Sequence, residues 1–340
     1  MFINVAINGF GRIGKVALKI IEDYRLMGKD IRVVAINSPS TSIEHIVYML
    51  KYDSVYQNNI KYVIKQIKEN GNDYINLNGN KILILKNYSI TDINWNIAKA
   101  DYIIESSGAY RNIEKASQHL VSGAKKVIIS APSDSPTFVY GVNHHKYNNQ
   151  MNIISNASCT TNCLAPLIKI LNDSFIIEEA LVSSVHSSTA SQNVVDGSSK
   201  KDWRLGRSTL NNIIPTSTGA AQAVSEVIPE LKGKITGLAY RIPIINGSLI
   251  DLTVRLKKNT SYQEIMNTID NNNLDNTIMV TNDPIVSSDV ISNKYSCIVD
   301  KQAGIELNEN FFKIIAWYDN EYGYTSRLID MIFYINKNIE

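Results

Sequence analysis

Of the three cysteines in this 340-residue chain, one stands where a thiol can react. In Ser155-Asn156-Ala157-Ser158-Cys159-Thr160-Thr161-Asn162-Cys163, an apolar strand-like run (Asn152-Ile153-Ile154) gives way to a helical pattern. Leu164, Leu167, Ile168 and Leu171 mark one face of that helix at a 3.6-residue period. Ser155, Asn156 and Ser158 are the residue types that cap helix starts. Cys159 is therefore expected at a helix mouth, among outward-pointing N–H groups and the positive end of the dipole. Such a position lowers a thiol pKa from about 8.5 and favours the nucleophilic thiolate. Thr160 and Thr161 add hydroxyl donors beside it. A free cysteine is more often a small buried apolar residue, and Cys163, one turn on, fits that description. A Cys159–Cys163 disulfide would strain an intact helix. Cys297, inside Tyr295-Ser296-Cys297-Ile298-Val299, reads as structural.

A reactive thiol needs elements to position it and a partner to react with, and the amino-terminal third supplies a candidate. Phe2 to Ile7 reads as a buried strand and runs into Asn8-Gly9-Phe10-Gly11-Arg12-Ile13-Gly14. A helical face follows (Ile13, Val16, Ala17, Ile20, Ile21, Tyr24), then the apolar strand Ile31-Arg32-Val33-Val34-Ala35-Ile36-Asn37. Strand, glycine turn, helix, strand is the context that lifts G-x-G-x-x-G above a chance match. Gly9 permits the turn, Gly11 lets a pyrophosphate approach the backbone, and Gly14 lets helix and strand pack closely. The acidic residue that usually ends the second strand and holds the ribose hydroxyls is absent, and Asn37-Ser38-Pro39-Ser40 stands there instead. A carboxylate repels a 2′-phosphate whereas a serine can hydrogen-bond one, so the exchange points to tolerance of NADP, or else to a weaker NAD site.

Further along, Asn70-Gly71-Asn72 and Asn78-Gly79-Asn80 signal hairpins within a strand-rich stretch from Ile60 to Leu85. Strand runs then end in Ser106-Ser107-Gly108 and in Ser130-Ala131-Pro132, with Ile113, Ala116, Leu120 and Val121 suiting a crossover helix between them. Small hydroxyl residues after strand ends suit the rim where α/β sheets bind ligands. After a strand from Glu179 to His186, the polar stretch from Ser187 to Asn212 is too long for an ordinary connection. Thr216-Ser217-Thr218-Gly219 opens a small-residue helix, a natural anion seat. Long strands (Ile235 to Pro243, Ser248 to Leu256) predict a mainly antiparallel second sheet. A last strand, Phe311 to Tyr318, leads through Asp319-Asn320-Glu321 into an apolar helix.

Bulk composition fits this organisation. The length allows two domains. A net charge of +2 argues against dedicated nucleic-acid binding. Three cysteines without paired spacing suggest a reducing compartment, with neither a disulfide framework nor a metal site. No signal-peptide pattern precedes the first strand, and no apolar run approaches the ~18 residues that span a bilayer. The expectation is a cytoplasmic protein without membrane partners.

Taken together, Ile7 to Gly14, Ser155 to Cys163 and Trp317-Tyr318-Asp319-Asn320-Glu321 resemble the corresponding motifs of phosphorylating glyceraldehyde-3-phosphate dehydrogenases, and the similarity runs essentially end to end. The resemblance implies an α/β fold, with a Rossmann NAD(P)-binding domain (1–157, completed by a carboxy-terminal helix, 321–340). It also implies an α+β catalytic domain (158–320) with a mainly antiparallel sheet at the subunit contacts of a homotetramer. It implies oxidation of glyceraldehyde 3-phosphate to an acyl phosphate with NAD(P) and inorganic phosphate, through a hemithioacetal and a thioester on Cys159. His186, which on sequence alone is as well read as a core histidine, becomes the base. Thr189 and Arg241 match the seat of the substrate phosphate; Ser158, Thr160, Thr218 and Gly219 match that of the attacking phosphate. Read alone, Arg241 is equally a surface charge on a strand, but its fork suits a phosphate. Arg12, Ile13, Ser107 and Ser130, with Gly9 and Gly11, are implied to line the cofactor cleft, Asn320 to hold the carboxamide and Tyr324 to pack near the nicotinamide.

Two departures from the family pattern coincide. NAD-specific relatives carry Asp at the position of Ser38 and a proline at that of Ser198, and NADP-using photosynthetic members place serine there. Dual use of NAD and NADP is therefore expected, with Ser38, Ser198 and Lys200 around the 2′-phosphate. Tyr88 or Ser89 replaces an arginine that many relatives carry near the adenine. A sister enzyme that oxidises erythrose 4-phosphate departs at Thr218-Gly219 and ranks second. A binding protein of this fold without catalysis is disfavoured by the joint presence of Cys159, His186, Thr189 and Arg241.

Overall fold

The apolar runs flanking the glycine turn become neighbouring parallel strands, β1 (Ile3–Asn8) and β2 (Ile31–Asn37), joined by α1 (Arg12–Leu26). The structure is a computed structural model and describes residues 2–56, 62–199 and 202–338. Helix α1 buries Val16, Ala17, Ile20 and Ile21, the predicted face, each large side chain contributing about 1.5–3 kcal/mol. A short helix α2 (Ile43–Lys51), capped by Ser42, follows. Two hairpins then give β3 (Ile64–Glu69), β4 (Asn72–Leu77) and β5 (Asn80–Leu85), turning through left-handed Asn70 and Asn78 and their glycines. Ile60, where the strand-rich stretch was expected to begin, lies outside the described residues.

The parallel sheet continues through α3 (Trp95–Ala98), β6 (Tyr102–Glu105), α4 (Ile113–Ala116), α5 (Gln118–Val121), β7 (Lys126–Ile129) and β8 (Ile153–Ser155). Strand order is β3-β4-β5-β2-β1-β6-β7-β8, with β5 through β8 running parallel. The expected single crossover helix is instead two short ones meeting at Ser117. Counted from buried Ala116 at about 100° per residue, His119 falls on the same inward face and Val121 nearly opposite, so His119 is fully buried and Val121 is 85% exposed. Ala6, Ile103, Trp95, Val127 and Ile129 pack a core on this side of the sheet.

The second sheet is built from β9 (Ile177–Ser187), β10 (Ile214–Ser217), β11 (Ile235–Ile242), β12 (Ser248–Leu256), β13 (Ile278–Thr281), β14 (Cys297–Asn308) and β15 (Phe311–Tyr318). Their order across the sheet is β10-β11-β9-β12-β15-β14-β13. Only the β9–β11 and β13–β14 pairs are parallel. Helices α6 (Cys159–Phe175), α7 (Ala220–Val227) and α8 (Tyr262–Asn271) accompany it, with α6 burying Leu164, Leu167, Ile168 and Leu171 as the pattern predicts. Among the described residues between β9 and β10, Trp203–Gly206 forms a 3₁₀ turn. Helix α9 (Tyr322–Lys337) ends the chain.

Two compact units result: residues 2–138, 146–157 and 328–338, and residues 139–145 with 158–327. The short segment 139–145 thus packs with the second unit, and the division at the far end falls inside α9, between Arg327 and Leu328. The last part of α9 packs on the first unit, Phe333 against Tyr24 and Asn336 accepting from the Tyr102 hydroxyl. Among the described residues, no helix is long and apolar enough to cross a membrane.

Candidate active site

Cys159 is the first residue of α6. Ser158, extended at the N-cap, accepts from the Thr161 N–H at 3.1 Å, and Asn162 donates back to the Ser158 carbonyl at 2.9 Å. These local bonds fix the helix mouth and leave the first N–H groups without partners inside the helix. The sulfur lies 3.4 Å from Nε2 of His186, near the end of β9. Arg241 is the register partner of His186 on parallel β11. Its Nη1 lies 2.5 Å from His186 Nδ1 and donates to the Ser187 carbonyl at 3.2 Å. The strand pairing therefore delivers the guanidinium to the back of the imidazole.

The ionised thiolate expected from the helix mouth is not the resting state this geometry favours. His186 is 4% exposed. Burial, and then the Arg241 charge, push the imidazole down to about 4, against an opposing bond to the Ser187 carbonyl. The Cys159 side chain is partly open to solvent, yet its sulfur sits among dense protein. Burial pushes the thiol up, against lowering by Arg241, Thr160 and the helix-start N–H groups. Desolvation outweighs the helix mouth here. The resting pair near neutral pH is a thiol facing a neutral imidazole. Because a guanidinium only donates, Nδ1 accepts while Arg241 stays on it and Nε2 carries the ring proton. Once Arg241 moves away, that proton can sit on Nδ1, toward the Ser187 carbonyl at 2.7 Å, and Nε2 can present its lone pair to the sulfur.

Tyr318, part of the 317–321 motif but without a role assigned to it from sequence, belongs to the site. Its buried hydroxyl meets Thr160 Oγ1 at 3.0 Å and Ser184 Oγ at 3.2 Å, and burial pushes its pKa far up, so it stays a donor. Thr160 Oγ1, 4.0 Å from the sulfur, is thereby turned inward rather than offered to a ligand. No signal in a lone tyrosine at a strand end could have found this contact. Thr189, just past β9, is half-buried, its N–H donating to Gln192 Oε1 at 3.0 Å. Gly219 caps α7, with open space where a side chain would be, and Thr218 Oγ1 accepts from the Ala220 N–H. Cys159, His186, Arg241 and Thr160 are thus brought together, while Thr218 and Gly219 lie on the separate mouth of α7. Asn320 Oδ1 accepts from Ser187 and Ser248, both at 2.9 Å, which leaves its amide nitrogen as the group to meet a ligand. Tyr324 is buried in α9, Ser198 is exposed in the long loop, and Lys200 lies outside the described residues.

In the first unit the remaining candidates share one sheet edge, following β1 (Gly9, Gly11, Arg12, Ile13), β2 (Ser38), β6 (Ser107) and β7 (Ser130). This edge fits a dinucleotide. Gly9 has φ +95°, and a Cβ there would lie 2.4 Å from the Ser107 nitrogen. A Cβ on Gly14 would meet the Gly9 carbonyl at 2.2 Å, whereas nothing lies within 4 Å of the position on Gly11. The turn is tight where it must pack and bare where a pyrophosphate would approach. The Arg12 guanidinium is committed elsewhere, 2.8 Å from Asp53 and over the Tyr56 ring. Burial raises the Asp53 pKa, but bonds from Lys15, Tyr56 and Val55 and the Arg12 charge bring it down to about 2. Ser38, 5% exposed, donates to Thr41 Oγ1 at 3.0 Å, so its hydroxyl is engaged within its own turn. Ser130 Oγ donates to the Glu105 carbonyl at 2.9 Å.

Two family models match the chain: the NAD binding domain of glyceraldehyde 3-phosphate dehydrogenase over residues 3–113, and the C-terminal domain of the same family over residues 158–320. Glyceraldehyde-3-phosphate dehydrogenase 2 of Mucor circinelloides f. lusitanicus is 48% identical, over 99% of this chain and 98% of its own. The cytosolic glyceraldehyde-3-phosphate dehydrogenase of Chlamydomonas reinhardtii is also 48% identical, over 98% and 97%. Glyceraldehyde-3-phosphate dehydrogenase 1 of Saccharomyces cerevisiae is 46% identical, over 98% and 99%.

Proposed function

The chain belongs to the glyceraldehyde-3-phosphate dehydrogenase family, and on that footing we propose that it oxidises glyceraldehyde 3-phosphate with NAD and inorganic phosphate, through Cys159. The observation that carries this reading is the 3.4 Å approach of Sγ to His186 Nε2 at the mouth of α6.

His186 Nε2 takes the thiol proton as sulfur attacks the aldehyde carbon. The new oxyanion meets the N–H of Cys159 and receives the proton back from the imidazole, giving a hemithioacetal. His186 then takes the hydroxyl proton again as that carbon is oxidised to a thioester. When bound, NAD supplies the two-electron acceptor for this oxidation. Inorganic phosphate, seated by Ser158, Thr160, Thr218 and Gly219, attacks the thioester; the acyl phosphate leaves, and the sulfur regains its proton from His186. Thr160 can serve this seat by its N–H while its hydroxyl stays on Tyr318. The substrate phosphate is held by Thr189 and Arg241. Drawn to that anion, Nη1 leaves His186 Nδ1; this relieves the smaller of the two effects that depress the imidazole, after burial, and frees Nδ1 to hold the ring proton so that Nε2 can accept.

Gly9, Gly11, Arg12, Ile13, Ser107 and Ser130 hold the dinucleotide, Arg12 by its N–H rather than its guanidinium, and Asn320 and Tyr324 orient the nicotinamide. NADP is accepted besides NAD, because no carboxylate at Ser38 repels a 2′-phosphate. The Ser38 hydroxyl must first turn away from Thr41. Ser198 takes part from the long loop. The active form is a homotetramer in the cytoplasm. Exposed apolar side chains in the second unit, Leu181, Val195 and Trp203, support the assembly, and relatives named as cytosolic support the compartment.

Initial rates with the aldehyde, NAD and phosphate test the assignment. Cys159→Ser should retain less than about one-thousandth of the wild-type rate; an unchanged rate would remove Cys159 from the mechanism.

A further inference from the structure

Three adjacent parallel strands of the first unit end in polar side chains that face one another rather than solvent. Asn37 ends β2, Asn8 ends β1 and Glu105 ends β6, and they are register partners in that order. Asn37 Nδ2 donates to Asn8 Oδ1 at 2.8 Å, and Asn8 Nδ2 donates to Glu105 Oε2 at 2.6 Å. The same Oε2 lies 2.9 Å from His119 Nε2, and Trp95 Nε1 donates to His119 Nδ1 at 3.2 Å. The indole bond fixes the tautomer: Nδ1 accepts, so Nε2 carries the proton that goes to Glu105. Asn8, Asn37, Glu105, His119 and Trp95 are all 3% exposed or less.

Burying a carboxylate costs several kcal/mol unless donors surround it. Glu105 meets four, the last two being the N–H (2.8 Å) and the hydroxyl (2.5 Å) of Ser107, both to Oε1. Ser107 is the residue against which Gly9 packs, and Ser106 Oγ donates to the Gly9 carbonyl at 2.7 Å. One carboxylate therefore holds both walls of the glycine turn, Asn8 on one side and Ser107 on the other. A fold needs no buried charge at this spot for packing alone, since an apolar filling of similar volume is often as stable.

We propose that Glu105, braced by His119 and Trp95, is a positioning residue that sets the shape of the glycine turn and hence the affinity for NAD. It touches no reacting atom. The inference rests on the reading of this turn as the dinucleotide seat. Glu105→Gln keeps the shape but turns an amide nitrogen, or an uncharged oxygen, toward donors. Its dissociation constant for NAD, measured by calorimetry, should rise about tenfold, the worth of one charge-assisted hydrogen bond. Its kcat at saturating NAD should stay within about twofold. Trp95→Phe, which keeps the ring and removes only the outer donor, should shift the constant in the same direction by a smaller factor. Its measurement stands if Glu105→Gln does not fold. A lowered melting temperature with wild-type NAD affinity in the variants that fold would make the network purely structural and overturn the proposal. Failure of the wild-type protein itself to bind NAD would instead overturn the dinucleotide reading.

Discussion

Sγ of Cys159 and Nε2 of His186 face each other at 3.4 Å with neither held charged, so the site must make its nucleophile during the reaction rather than store it. His186→Asn should lower kcat by about 10²–10⁴-fold with a smaller effect on KM, in steady-state assays. The depressed imidazole also has a stability signature. Its folded value is about 4, against about 6.5 when unfolded. Between those values the unfolded chain binds a proton that the native chain does not. The contribution is complete above about pH 6.5 and is lost as pH falls toward 4, amounting to about 3 kcal/mol. Urea unfolding at pH 7 and pH 4.5 should show this loss in wild type and a smaller one in His186→Gln; equal losses would contradict the buried neutral imidazole. Arg241 is the lever on this group. Inorganic phosphate or a phosphate-bearing aldehyde analogue should raise the His186 titration observed by NMR, whereas Arg241→Leu should raise it without any anion.

Helix α6 owes its mouth to Ser158, so Ser158→Ala should cost about 1 kcal/mol in thermal unfolding and also slow alkylation of Cys159. Gly9→Ala combines a φ of +95° with a Cβ against the Ser107 backbone, and should abolish NAD binding while lowering the melting temperature. Both elements were legible in the sequence, because capping residues and a strand–glycine–helix pattern are local signals. The buried face of α1 and the apolar face of α6 followed from periodicity alone. What stayed hidden was set by register and by partners distant in the chain. His119 shares the inward face with Ala116, but a titratable ring there gives no apolar signal, and its partners Trp95 and Glu105 come from elsewhere in the chain. Arg241 reaches His186 because β11 pairs with β9 in one register, and Tyr318 reaches Thr160 through a strand end more than 150 residues away in the chain. The balance between a favourable helix mouth and an unfavourable burial was equally out of reach, since the second depends on everything packed around the sulfur.

At the scale of the molecule, cofactor choice and assembly follow from residues on its surface and rims. Ser38→Asp should leave turnover with NAD nearly unchanged and cut kcat/KM with NADP by at least about tenfold, in paired initial-rate assays. Wild-type protein that turns over NAD and not NADP would contradict dual use. Light scattering should return four times the chain mass of 38.0 kDa. An acyl group on Cys159 is the step from which the rest follows, and rapid mixing with glyceraldehyde 3-phosphate and excess NAD in phosphate-free buffer isolates it. The expected result is a burst of reduced dinucleotide equal to the chain concentration, one acyl group recovered on the peptide that carries Cys159, and its release on adding phosphate. Continued turnover at the same rate without phosphate, or a burst that leaves Cys159 unmodified, would contradict it.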